Sequence, residues 1–322
     1  MTGFRILLLT SVSLVAASSA SIEDRLAQMQ QHHPEADANR DGNLTEREAM
    51  DFVVRVSGRR VNRGPVGGSP EMLDAFQERS HKGTNYRLMQ PLEVDPGARY
   101  PLIVSLHGGG GIGDDNVTQL RWWNALMAQE DWRRAHPSFV VVPQAVPGGT
   151  WGERSQFGDL NNVYIKNMIP VVFDLIESHL QELPIDRSRV YVLGASMGGR
   201  GTWNFLKARP GFFAAAIPVC AARPPGDVSG LTQTAVWSFH GDDDPTVSVE
   251  HSRQMFEKLK AAGGSIKYTE LRGVKHNSWI QAFTYQGDDP TRGFVTKTSG
   301  QNVDQTSDVW DWLFRQRRRD TH

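Results

Sequence analysis

The segment that most restricts the fold of this chain is residues 190–201, with the sequence Val-Tyr-Val-Leu-Gly-Ala-Ser-Met-Gly-Gly-Arg-Gly. An apolar, β-branched run ends at the pattern Gly-x-Ser-x-Gly around Ser196, and helical spacing of apolar residues follows at once. This order predicts a strand, a sharp turn and a helix. Small residues two before and two after the serine let a strained backbone pass close to its neighbours. We therefore predict that Ser196 is a nucleophile; the alternative is a tight turn that merely contains a serine.

Later in the chain, two further residues have the side chains that would activate such a serine. Residues 235–240 form a predicted strand, and three consecutive aspartates follow it, the last being Asp244. We select Asp244 as the acid because its distance from the strand end and the following Pro245 fit a fixed loop; a solvated acidic turn is the alternative. His276 follows the predicted strand 265–271. We select it as the base over the alternative of a surface histidine, because the order serine, acid, histidine is that of α/β-hydrolases.

A glycine run follows another predicted buried strand, residues 100–107. Successive glycines allow backbone N–H groups to approach a substrate carbonyl, as in the oxyanion hole of serine hydrolases. We expect Gly109 to supply one donor, with Gly108 nearly as well placed, and the amide of Met197 to supply the other. A simple flexible loop is the alternative, and phosphate binding is disfavoured because no Gly-Lys-Ser/Thr follows.

Two tryptophans are candidates for substrate contacts. Trp151 lies in a loop after the predicted strand 139–142, and Trp279 follows the candidate base by three residues. Aromatic side chains at the ends of central strands are typical of cleft walls. Core burial explains Trp151 about equally well. The pair indicates, only weakly, an aromatic or carbohydrate-linked ester.

Near the N-terminus, a twelve-residue segment has the spacing of a calcium loop. Alternate side chains with oxygen atoms, a central glycine and a final glutamate can wrap around Ca²⁺. The segment resembles an EF-hand loop between predicted helices 22–31 and 46–56, and the alternative is a polar turn that caps the second helix. We expect a structural role for calcium and no metal in catalysis. The predicted ligands, with Asn43 using its carbonyl, are Asp37, Asn39, Asp41, Asn43 and Glu48, around Gly42.

The chain divides into four predicted regions: a signal peptide (1–20), the EF-hand-like segment (21–57), a linker (58–70) and a catalytic domain (71–319). Residues 1–20 combine Arg5, an apolar stretch and a small-residue cleavage site, so we expect a secreted or periplasmic protein with no stable membrane span; a retained anchor is the alternative. The formal net charge of −1 argues against a nucleic-acid partner. Cys220 is the single cysteine, so it cannot form an intramolecular disulfide, and we expect it in the core.

Alternating predicted strands and helices from residue 84 onward indicate an α/β fold with a mostly parallel sheet flanked by helices. With its motifs in this order, the chain resembles the α/β-hydrolase superfamily, and more narrowly the secreted esterases near polyhydroxybutyrate depolymerases, feruloyl esterases and "predicted peptidases". The single cysteine departs from relatives in that group that have disulfides. The matching segments are residues 106–111, 142–144, 185–186, 189–192 and 194–199, His240-Gly241, Asp244, Val247, His276 and Trp279.

The resemblance implies a serine hydrolase that cleaves carboxylic esters through an acyl-enzyme, on a small-molecule or polymer-linked substrate. A serine peptidase of the same fold is the first alternative, because the same triad cleaves amides. A calcium-dependent binding protein with a silent hydrolase domain is the second.

Overall fold

The computed structural model describes residues 22–45, 48–49, 52, 69–152, 166–222, 226–301 and 303–318. The predicted signal peptide, most of the second EF-hand helix and residues 58–68 of the predicted linker lie outside the described residues. The described part forms two compact units, one before residue 58 and one from residue 69 onward. Each unit is described by itself.

The N-terminal unit begins with helix α1, Ile22–His32, as the sequence predicts. A short 3₁₀ turn, Pro34–Ala36, leads into the loop of the predicted calcium ligands. A small apolar cluster stabilises this unit, and each of its members is buried. They are Met29, Ala36, Leu44, Ala49 and Phe52.

The second unit contains a nine-stranded sheet, within the residues that the structure describes. Its strands lie in the order β1-β2-β4-β3-β7-β8-β9-β10-β11. The six strands from β4 to β10 run parallel to one another, and β1, β2 and β11 extend the sheet by antiparallel pairing at its two edges. This confirms the predicted α/β-hydrolase fold. The strands are β1 (Phe76–His81), β2 (Thr84–Met89), β3 (Tyr100–Leu106), β4 (Phe139–Pro143), β7 (Ile185–Ala195), β8 (Ala215–Val219), β9 (Ala235–Gly241), β10 (Ile266–Leu271) and β11 (Phe294–Ser299). Two further strands, β5 (Gly149–Thr150) and β6 (Lys166–Asn167), pair with each other.

Along the chain, most helices of this unit lie between consecutive strands, whereas the first precedes all the strands and the last follows them. Apolar clusters fill both faces of the sheet, because the central parallel strands are buried on both sides. None of the helices in the described ranges has the length and apolar character needed to cross a membrane. They are α2 (Pro70–Ala75), α3 (Trp122–Ala128), α4 (Glu130–Ala135), α5 (Ile169–Glu182), α6 (Met197–Ala208), α7 (Glu250–Ala261), α8 (Trp279–Phe283) and α9 (Val309–Arg315).

Two features of this unit differ from what the sequence pattern indicates. Helical spacing predicts a helix over residues 161–180 interrupted at Pro170, but α5 begins at Ile169 and Pro170 lies in its first turn. No interruption results, because the first turn of a helix needs no N–H from proline. Residues 284–301 read as a polar loop, yet they contain β11, an edge strand with one buried residue, Phe294. Edge strands lack the continuous apolar run that identifies the internal strands of this sheet.

Candidate active site

Ser196 lies at the tip of the predicted elbow, between the end of β7 and the start of α6. Its backbone has φ 58° and ψ −116°, a conformation that a non-glycine residue adopts only when its surroundings impose it. The Ser196 amide donates a hydrogen bond to the Val219 carbonyl at the end of β8, 2.9 Å away. The neighbouring strand therefore helps to hold the hydroxyl at the carboxyl edge of the sheet.

The structure brings the three predicted triad residues together from three segments of the chain. His276 Nε2 lies 3.0 Å from Ser196 Oγ, and His276 Nδ1 lies 2.7 Å from Asp244 Oδ2. The Asp244 side chain has no exposed surface and that of His276 is 22% exposed. Because an ionised carboxylate only accepts hydrogen bonds, Nδ1 donates to Asp244 and Nε2 is free to accept the proton of the serine hydroxyl.

Among the three consecutive aspartates, Asp244 is the one that contacts the histidine. Its second oxygen, Oδ1, accepts hydrogen bonds from the amides of Thr246 and Val247, at 2.8 and 2.9 Å. Burial opposes ionisation of this carboxyl, but hydrogen bonds from the Val247 amide and His276 outweigh it and hold the pKa of Asp244 below its usual range. The two preceding aspartates are exposed. Asp244 is therefore negatively charged at neutral pH.

His240 is a site residue to which the sequence analysis gave no role beyond the family pattern. The side chain is fully buried, and its Nε2 lies 3.0 Å from the Val247 carbonyl and 3.3 Å from Asp244 Oδ2. Its Nδ1 lies 2.7 Å from Ser252 Oγ. Nε2–H donates to the Val247 carbonyl, so Nδ1 accepts from the Ser252 hydroxyl. Burial lowers the pKa of His240, so its ring is neutral. The ring therefore helps to position Asp244 but does not place a second cation beside the carboxylate that pairs with His276.

The glycine run forms a short 3₁₀ turn, Gly109–Gly111, directly after β3. Gly109 opens this turn and Met197 opens helix α6, so neither amide has an acceptor within its own helix. A Cβ built on Gly108 would lie 3.6 Å from Ser196 Cβ, whereas one built on Gly109 would meet nothing within 4 Å. Gly108 thus packs against the serine and Gly109 borders open space, where a substrate oxygen has room.

A buried histidine fixes the start of this turn. His107 Nδ1 donates to the Gly108 carbonyl, 2.6 Å away, and Nε2 accepts from the Ala145 amide, 2.9 Å away. Burial lowers the pKa of His107 to about 4, so the ring is neutral and makes both hydrogen bonds at neutral pH.

The two tryptophans differ in their environment. Trp151 is 1% exposed, and its Nε1 donates to the His107 carbonyl at 2.9 Å. The expectation that Trp151 walls the cleft is therefore wrong, and its indole is a core residue that supports the glycine turn. Trp279 is half-buried, with its ring centroid 5.7 Å from that of His276 and the ring planes at 85°. Trp279 stays a predicted substrate contact.

The single cysteine lies beside the triad. Cys220 is fully buried at the end of β8, as expected for a core residue. Its Sγ, one carboxylate oxygen of Asp244 and one ring nitrogen of His276 lie within 4.8 Å of one another. Burial raises the pKa of the Cys220 thiol to about 12. The thiol therefore stays protonated and packs against the triad without adding charge.

The N-terminal loop is closed by hydrogen bonds to its first and last predicted ligands. Asp37 accepts from the amides of Arg40 and Gly42, at 2.8 and 2.9 Å. Glu48 accepts from the amide of Asn39 at 3.3 Å and from the Thr45 hydroxyl at 2.7 Å. The Thr45 hydroxyl and amide hold the pKa of Glu48 below its usual range.

The side-chain oxygen atoms and the backbone conformation of these residues are both suited to a calcium ion. Gly42 has φ 85°, the left-handed conformation that the sixth position of such a loop requires. Asp41 accepts from the Asn43 amide at 2.8 Å and from Asn39 Nδ2 at 3.0 Å, so its side chain also turns into the loop. The three carboxylates are not gathered within 4.8 Å of one another, since the one such group among the described residues lies at the triad. An ion would have to draw them together.

Comparisons with known proteins identify the family of this chain. The sequence model of a family described as phospholipase/carboxylesterase matches residues 95–285. An "Uncharacterized secreted protein" of Arthroderma benhamiae is 27% identical over 60% of this chain and 23% of its own length. A "Probable feruloyl esterase C" of Aspergillus niger is 23% identical over 67% of this chain and 74% of its own.

Among solved structures, one described as a thermostable esterase superposes with a TM-score of 0.62 and 34% identity, over 77% of this chain. The present chain covers 64% of that structure's chain, and about a quarter of the secreted Arthroderma protein. The chain therefore spans only part of the length of these two relatives.

Proposed function

Because the chain belongs to the phospholipase/carboxylesterase family, whose members are α/β-hydrolases, we propose that it is a serine esterase that cleaves carboxylic esters through an acyl-enzyme. One observation carries the proposal. His276 makes hydrogen bonds to Ser196 Oγ and to Asp244 Oδ2 simultaneously, at 3.0 and 2.7 Å. This is the arrangement in which a neutral imidazole accepts a serine proton while a carboxylate stabilises the resulting cation.

In the first half-reaction, Ser196 Oγ bonds to the acyl carbon as its proton passes to His276 Nε2. The carbonyl π electrons move to the oxygen, and the amides of Gly109 and Met197 stabilise that charge. As the tetrahedral species collapses, the ester C–O bond breaks and the alcohol leaves with the proton held by His276. Water then repeats the sequence against the acyl-enzyme, with His276 taking a proton from water and returning it to Ser196.

Labelling with a fluorophosphonate tests this assignment, because such reagents form a phosphonyl bond with an activated serine. We expect one adduct per chain, located by mass spectrometry on the tryptic peptide 190–200, and loss of ester turnover in proportion to labelling. An adduct on another peptide, or full turnover by labelled protein, would rule out Ser196 as the nucleophile.

The substrate panel should pair esters with matched amides. Short-chain 4-nitrophenyl esters and methyl ferulate are suitable, the latter because one relative is named a feruloyl esterase and Trp279 lies against His276. We expect esters to turn over much faster than anilides or peptides with the same acyl group. Faster cleavage of the peptides would favour the serine peptidase.

We also propose that the protein is exported and that its N-terminal loop binds calcium, with catalysis independent of the ion. The signal-like residues 1–20 and the name of the Arthroderma relative support export. Asp37, Asn39, Asp41, Asn43 and Glu48 would supply the oxygen ligands, as hard donors suited to Ca²⁺. Calcium would order the N-terminal unit, which has only a small apolar cluster of its own.

Calorimetric titration of the mature protein with calcium is expected to show one ion per chain, with a dissociation constant of about 0.1–1 mM, the range of extracellular modules. Glu48→Gln removes one ligand charge and should weaken binding by about tenfold or more. Glu93→Gln, an exposed glutamate in the second unit, is the control. Absence of binding at several millimolar Ca²⁺ would contradict the site, and loss of ester turnover on chelation would contradict its independence from catalysis.

A further inference from the structure

Arg121 is a half-buried arginine beside the glycine turn of the proposed oxyanion hole. It lies immediately before helix α3, and its Nη1 is 3.5 Å from the carbonyls of Gly110 and Thr118. A Cβ built on Gly110 would lie 3.6 and 3.8 Å from Nη1 and Nη2. Contacts of 3.5 Å are at the limit of hydrogen bonding, so the described residues satisfy the five N–H donors of this guanidinium poorly.

Arg121 also lacks the carboxylate that other arginines of this unit contact. Arg87 lies 3.6 Å from Glu78, and Arg189 lies 2.7 Å from Asp186. No ion pair joins Arg121 to an acidic residue in the part of the chain that the structure describes. Burial alone lowers the pKa of Arg121, with no neighbouring carboxylate opposing the shift. Because guanidinium groups stay charged in proteins, this is a partly desolvated cation that has no counter-ion among the described residues.

The cation is close to the reacting groups. A Cβ on Gly108 would lie 3.6 Å from Ser196 Cβ, and Gly110 follows Gly108 by two residues, at most about 7 Å along the backbone. The charge of Arg121 also reaches His107, where it contributes to lowering the pKa. A substrate whose carbonyl oxygen meets Gly109 therefore has the guanidinium beside the next residue of the same turn, Gly110.

We propose that Arg121 determines specificity by binding a carboxylate carried by the ester substrate, so that acidic esters are the preferred substrates of this site. The planar guanidinium matches a carboxylate with two parallel N–H···O bonds, and such charge-assisted pairs are strongest where water is partly excluded. A bound carboxylate would supply the acceptors and the counter-charge that no described residue gives Arg121. This inference rests on the proposed esterase function.

Paired esters that differ only in the carboxylate test the inference. Monoethyl succinate, glutarate and adipate carry it on the acyl side, and O-butyrylglycolate carries it on the alcohol side. Diethyl succinate, diethyl glutarate, diethyl adipate and the ethyl ester of O-butyrylglycolate are the neutral partners, and a pH-stat follows turnover. The measured quantity is the ratio of kcat/KM for each acidic ester to that of its neutral partner, in the wild type, Arg121→Gln, Arg121→Lys and Arg133→Gln.

We expect at least one acidic ester to be preferred by the wild type, with a ratio that falls about 10- to 100-fold in Arg121→Gln, as expected for loss of hydrogen bonds between charged groups. The ratio for Arg121→Lys should lie between those of the wild type and Arg121→Gln, because lysine keeps the charge but not the planar fork. Arg133→Gln is the matched control, because Arg133 is also half-buried but donates to the Gln90 carbonyl at 2.9 Å; its ratio should equal that of the wild type. If the ratio falls for the pairs with the carboxylate on the acyl side, Arg121 binds the acyl part of the substrate. If it falls for the glycolate pair, Arg121 binds the alcohol part.

An unchanged ratio in Arg121→Gln would overturn the inference, whether or not both rates fall together, because a residue that only supports the glycine turn affects acidic and neutral esters alike. A wild type that prefers the neutral partner of every pair would overturn it as well. If the esterase proposal itself is wrong, the result is different, because no ester in either series would then show turnover that depends on Ser196.

Discussion

Ser196→Ala is expected to reduce kcat for ester hydrolysis by about 10³- to 10⁶-fold, the range over which loss of a triad nucleophile acts in serine hydrolases. Alanine removes the atom that His276 Nε2 contacts at 3.0 Å, so no acyl-enzyme forms. The fold should be unaffected, because the Ser196 amide keeps its hydrogen bond to the Val219 carbonyl and alanine is smaller than serine. Substrate binding should change little, so the loss should appear in kcat more than in KM.

Steady-state kinetics on a 4-nitrophenyl ester, with thermal unfolding as a check on the fold, measures this effect. Ser178→Ala is the control, because Ser178 is half-buried on α5 and its hydroxyl donates to Glu182 at 2.6 Å. Asp244→Asn, which favours the wrong imidazole tautomer, should lower kcat by about 10⁴-fold. Adding it to Ser196→Ala should cause almost no further loss, because the residues act as one unit. Ester turnover above a hundredth of wild type in Ser196→Ala would exclude the proposed mechanism.

The central sheet could be predicted because burial on both faces makes its parallel strands continuous apolar runs, such as β3 and β4. The edge strands could not be predicted in this way. β1 has one fully buried residue, and the rest of its sequence is polar, so it shows no apolar pattern although it pairs with β2 over its whole length. The short helices α3 and α4 were also missed, since seven and six residues are too few to display a clear period.

At the site, the sequence could identify residues whose chemistry requires a fixed motif. Ser196, Asp244 and His276 follow three strands of one parallel sheet, and the carboxyl ends of such strands share an edge. Residues that act through contacts between distant segments have no such signal. Trp151 differs from Trp279 only in packing, and nothing local in the sequence distinguishes a buried indole from an exposed one. Whether a described carboxylate pairs with Arg121 likewise depends on the positions of residues that are distant in the sequence.

Gly198→Ala is expected to destabilise the catalytic unit by about 3 kcal/mol or more, the largest effect on stability that the elbow predicts. A Cβ on Gly198 would lie 2.0 Å from the Leu106 carbonyl oxygen and 2.9 Å from that of His107. Both contacts are to backbone, and β3 is fixed between β4 and β7, so no side-chain rotation relieves them. Helix propensity alone predicts that the substitution stabilises the unit, because replacing glycine by alanine within a helix gains about 1 kcal/mol.

Thermal and urea unfolding of Gly198→Ala should therefore show a Tm lowered by about 6–12 °C or more, at the ratio typical of a domain of this size. Gly226→Ala is the control, because a Cβ there meets nothing within 4 Å and should leave Tm nearly unchanged. A Tm equal to or above that of the wild type would mean that α6 can move away from β3 at no cost. In that case the close approach of helix and strand would not be what holds Ser196 in its strained conformation, and the explanation given for the small residue two positions after the serine would fail.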